Sequence, residues 1–90
     1  MDTRRYEQEI GEAVEYELAV SEAIGLMCEG IRTGEDSKRM HGVCSVLCRQ
    51  TGTMARLIAE EHGLNEFSVL GRICDMVDER KAMGSLEVTA

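Results

Sequence analysis

No proline occurs at any of the ninety positions, and that absence constrains the fold more than any other feature of the chain. Proline ends helices because it lacks a backbone N–H and its ring clashes with the preceding turn. Without it, breaks fall to glycine and to capping side chains, and the apolar residues recur at spacings of three and four instead of two. The pattern predicts an all-α fold, either a three-helix bundle or a long helical hairpin plus a third helix, completed by self-association.

The first helix is expected to begin after Asp2 or Thr3 and to present Ile10, Val14, Glu17/Leu18, Ser21, Ile24, Cys28 and Ile31 as one stripe. Its expected end is near Thr33 and Gly34, with Gly34 left-handed and Asp36 or Ser37 capping the next helix. Helix two, from about Lys38 to His62, carries a heptad seam of Met40, Cys44, Leu47, Thr51, Met54, Ile58 and Glu61. Beside it runs a stripe of small residues, Ser45, Cys48, Gly52, Ala55 and Ala59, which lets another backbone come close. Val43, Val46 and Leu57 widen the apolar arc on the other flank. Gly63 reads as a C-terminal cap and Asn65 as the next N-cap, with Leu64 placed to staple onto Val69. Helix three follows to about Met83 through Phe67, Leu70, Ile73, Cys74 and Val77.

Residues 1–83 thus read as a single helical domain and residues 84–90 as a flexible tail. The 43% hydrophobic content is too high for a disordered chain. A lone chain of this size buries a limited core, so contact with a second copy or another protein adds stability.

Ten Lys and Arg face seventeen Asp and Glu, a net charge of −7, and such a field repels phosphate backbones and anionic lipid. Nucleic acid and membrane are therefore not expected partners. With no apolar leader and no long apolar run, a cytoplasmic address is expected, and Cys28, Cys44, Cys48 and Cys74 read as reduced thiols. Acidic residues crowd helix one, whereas Lys38, Arg39, Arg49 and Arg56 lie on helix two, so an antiparallel pairing of the two is expected.

The chemistry-bearing residues are few. If helices one and two form a hairpin, Cys28 falls opposite His41 and Cys44, with Cys48 one turn on; together they compose an alternative thiol-based metal or redox site. A second alternative is a helix-turn-helix across Gly63, yet the would-be reading helix offers Asn65, Glu66, Phe67, Leu70 and Gly71, not the side chains that read bases. Glu15, Glu22 and Glu29 recur every seven residues as a solvated face or a docking strip. No nucleophile motif, Glu-x-x-His pair or phosphate-cradling loop occurs. Gly11, Gly25, Gly42, Gly52 and Gly71 fall inside helices, where close crossing is their expected use, Gly25 against Gly42. The reading is a small acidic non-enzymatic interaction module, an adaptor, inhibitor or assembly subunit, homo-oligomeric and without a cofactor. Its expected interface is Val43, Val46, Cys48, Gly52, Ala55, Leu57 and Ala59.

Overall fold

The computed structural model describes the backbone of residues 3–89 and the side chains of residues 3–84. Three helices follow one another, α1 (Thr3–Glu29), α2 (Gly34–His62) and α3 (Glu66–Thr89), all packed against each other. Arg5 meets Glu61, Glu17 meets Thr51 and Cys28 meets Met40, so α1 and α2 run antiparallel. Arg72 on Glu7 and Arg80 on Glu15 set α3 running with α1. The all-α, three-helix expectation holds.

The first turn differs from expectation. α1 stops at Glu29, closed by N–H donation from Gly30 to the Met27 carbonyl (3.0 Å) and from Ile31 to that of Cys28 (3.2 Å). Gly34 is not a left-handed cap but the first residue of α2, and Thr33, extended at φ −134° and ψ 165°, is the N-cap. The reason is reciprocal hydrogen bonding. The Asp36 N–H donates to Thr33 Oγ1 (3.1 Å), while the Arg32 N–H donates to Asp36 Oδ2 (3.2 Å). A threonine followed three residues later by an acid satisfies two donors at once, and the acid also favours the positive helix end.

The second turn is as expected. Gly63 is left-handed (φ 66°, ψ 36°), and the Leu64 N–H donates to the Ala59 carbonyl at 2.9 Å. Asn65 Oδ1 accepts from the N–H groups of Phe67 (2.8 Å) and Ser68 (3.3 Å). Val69 enters the core, but Leu64 stays exposed, so the expected staple does not form a buried pair.

Ile10, Ala13 and Val14 of α1, Ala55, Ile58 and Ala59 of α2, and Val69, Ile73 and Val77 of α3 make one core, in which Ile10 and Ile73 are fully buried. The seam of α2 faces α1, with Thr51 and Ile58 buried and Met40, Cys44 and Leu47 partly so. From Ser21 to Gln50 no residue is buried. The hairpin therefore has a packed lower half, to which α3 contributes Val69, Ile73 and Val77, and an upper half in which no residue is buried. A compact chain of this length has a radius of gyration of about 12 Å, against 15.4 Å here.

Several expectations are corrected by this arrangement. The small-residue stripe is covered only at Ala55 and Ala59; Ser45, Cys48 and Gly52 are exposed, Gly52 at the open groove it lines with Phe67 and Leu70 of α3. Gly25 and Gly42 do not meet, since a Cβ added at either has no neighbouring atom within 4 Å. Two glutamates of α1, Glu7 and Glu15, pair with Arg72 and Arg80 of α3 instead of with cations of α2, and one pair between α1 and α2, Arg5 with Glu61, has the reverse of the expected polarity. α3 also overruns Met83 to Thr89, because Gly84 costs a helix only about 1 kcal/mol and no left-handed glycine follows it. Of the expected tail, Ala90 and the side chains beyond Gly84 lie outside the described residues.

Two substitutions test this packing by urea denaturation. Ile73→Ala lowers stability by about 2–5 kcal/mol, a large part of what so small a domain has. Gly25→Ala, in open space on a helix, raises it by about 0.4–1 kcal/mol; a loss there means that the glycine has a close neighbour.

Candidate functional site

The residues of the thiol-site reading are not brought together. Cys28 donates weakly through its S–H to Met40 Sδ at 3.9 Å, so Met40 holds the position opposite it and His41 points about 100° away around α2. His41 and Cys48 are exposed and Cys44 is half-buried on the seam. Among the described residues, the group of potential metal ligands that does assemble is a different one, Glu9, Glu61 and His62, whose ligand atoms lie within 4.8 Å of one another.

This cluster sits where the last turn of α2 packs against the start of α1. The His62 side chain is 5% exposed, with Nε2 at 3.3 Å from Glu9 Oε1 and 3.8 Å from Glu61 Oε2. Tyr6 covers the imidazole edge to face, centroids 5.4 Å apart. Arg5 reaches the same carboxylates, Nε at 3.1 Å from Glu9 and Nη2 at 2.6 Å from Glu61. Burial raises the Glu9 pKa, but contacts with Glu61, His62 and Arg5 outweigh it and hold this carboxyl below the ordinary glutamate range. A metal ion here would meet the resident Arg5 guanidinium, which already reaches both carboxylates. Sequence reasoning missed it, because Glu9 and His62 carry no shared spacing and meet only through the hairpin register.

The other chemically distinctive region is the projecting half of the hairpin. Met27, Ile31, Met40 and Val43 line one depression, and Gly42, Val43, Val46 and Leu47 line the next, with Arg39 common to both. Val46 is 53% exposed. It precedes Ala55 by nine residues, half a rotation on a 3.6 period, so it faces away from the side that α3 covers. Of the expected interface residues, Val43, Val46, Cys48, Gly52 and Leu57 are exposed, whereas Ala55 and Ala59 belong to the internal core and are not available to a partner. A smaller groove runs from Gly52 and Arg56 to Phe67, which is 73% exposed at the start of α3.

The helix-turn-helix geometry gains nothing from the fold. Arg72, a cation of the would-be reading helix, is held by both carboxylate oxygens of Glu7 at 2.9 Å. No helix among the described residues is long and apolar enough to cross a membrane. Comparison with protein-family models, curated proteins and solved structures finds no match.

The lowered Glu9 pKa has a signed consequence. Its contribution to stability is present above the ordinary carboxylate range and is lost as pH falls through the lower folded value, because the unfolded chain then takes up the proton first. Urea titrations from neutral to acid pH show the wild-type advantage over Glu9→Gln shrinking through that window. A pH-independent difference would sink the assignment.

Proposed function

We propose that this chain is a small non-enzymatic protein–protein interaction module, an adaptor, inhibitor or assembly subunit, that docks through the hairpin face turned away from α3. One observation carries the reading. The aliphatic residues Met27, Ile31, Val43 and Val46 are exposed and contiguous on a projection that has no buried residue of its own. Monomeric soluble proteins seldom leave such surface open, and a rimmed apolar patch marks an interaction site. The closed network at Glu9, Glu61 and His62 supports a structural role for the polar cluster, since Arg5 already reaches both carboxylates and His62 lies in hydrogen-bond contact with Glu9. The net charge of −7 disfavours nucleic acid as the partner. The free cysteines suit a reducing, cytoplasmic setting.

A photoreactive amino acid placed at Val46 tests the reading in the native host. It forms a discrete protein adduct, with itself or with another chain, whereas the same probe at exposed Glu12 on the lower half forms none. Absence of any adduct at Val46 overturns the reading.

A further inference from the structure

We propose that the turn end of the hairpin binds monovalent copper, with the Cys28 thiolate and the thioethers of Met40 and Met27 as its ligands. Met27 also belongs to the docking face, but the ion needs no partner protein, so the two readings stand or fall separately.

The antiparallel register carries three sulfurs to one place. Cys28 lies in the last turn of α1 and Met40 near the start of α2, with Cys28 Sγ 3.9 Å from Met40 Sδ. Met40 shares an open depression with Met27, which precedes Cys28 in the chain and is 36% exposed. An unbranched methionine side chain turns about three bonds, which lets the Met27 sulfur swing toward the other two. Cys44 is half-buried on the seam with Met40, but four residues along α2 put it about 6 Å further down the hairpin. It falls level with Ile24, not with Cys28, and stays outside the set.

Distance sets the coordination. With metal–sulfur bonds of about 2.3 Å, sulfurs 3.9 Å apart subtend an angle of about 116° at a shared ion. That angle is close to trigonal and leaves one position in the plane for a third sulfur. A linear pair of sulfurs would stand about 4.6 Å apart.

Softness and charge select the ion. Thiolate and thioether ligands favour Cu(I), whereas hard divalent ions take carboxylates, carbonyls and water. On binding, the Cys28 S–H bond breaks, its proton leaves to water, and the thiolate bonds to Cu(I) as a neutral unit. A divalent ion on that single thiolate would retain positive charge beside Arg39, which lines the same depression. Asp36 lies there too, but its carboxylate is a hard donor and already accepts from the Arg32 N–H. The ion ties α1 to α2 within the stretch from Ser21 to Gln50 that has no buried residue, the part of the hairpin with most to gain in local stability.

The test titrates the reduced, oxygen-free full chain with the Cu(I) bicinchoninate complex. The wild type takes up one equivalent, and bound Cu(I) slows amide hydrogen exchange around the α1–α2 turn. Cys28→Ser abolishes uptake against bicinchoninate. Met40→Leu and Met27→Leu conserve volume and leave helical circular dichroism unaltered, yet each weakens binding by at least about tenfold, the least expected where even a group supporting a ligand has such an effect. Cys48→Ser and Cys74→Ser, at exposed positions, leave it unchanged. If Met40→Leu binds as the wild type does, Cys28 acts as a lone thiol and the site is overturned. Unchanged affinity in Met27→Leu overturns the three-sulfur set. A loss in Cys48→Ser or Cys74→Ser equal to that in Cys28→Ser, or a copper-bridged dimer in sedimentation, places the ion elsewhere and overturns the proposal.

Discussion

The hydrogen bond from Thr51 to Glu17, 2.5 Å long and half-buried between α1 and α2, is the contact on which the rest of the hairpin depends. Apolar helix faces slide past one another at little cost, but a hydroxyl and a carboxylate on the seam meet in one register alone. Any slip leaves them buried without partners, at about 1–3 kcal/mol or more. With that rung in place, Cys28 falls on Met40 above it, and Glu9 falls on His62 below it.

Thr51 also marks the boundary between two chemically different halves. Below it, α3 lies across the hairpin and brings Val69, Ile73 and Val77 into one core with both other helices. The polar groups there are matched, since no buried side-chain nitrogen or oxygen among the described residues lacks a partner. Above it no residue from Ser21 to Gln50 is buried, although Lys81 of α3 still reaches Ser21. The aliphatic residues outside the seam stand in water. Such a segment, with few buried contacts, opens at lower free energy than the core, and packing against a further surface both covers and rigidifies it.

Charge shows how far local patterns reach. The acidic character of α1 is plain in its glutamates, and the basic residues of α2 lie close by in sequence, yet Glu7 and Glu15 are held by Arg72 and Arg80 of α3. On α2 the cations Lys38 and Arg49 lie on the edge away from α1, where they are exposed. A count of charges per helix contains no angle. The face on which each charge lies, combined with which helix packs on that face, decides the partner.

The periodicity of a proline-free chain was enough to determine three helices, the seam of α2 and the Gly63–Asn65 junction, because each depends on spacing within one element or on a cap a few residues away. The Thr33 cap was readable by the same local rule, in the threonine and the acid three residues on. Tertiary structure alone decided that α3 would cover the lower half of the hairpin, that Ala55 and Ala59 would be internal while Cys48 and Gly52 stayed open, and that Glu9 would meet His62. Those outcomes depend on where one helix stops along another. Helical spacing repeats every turn and is indifferent to that height, whereas burial and hydrogen bonding between distant segments are not.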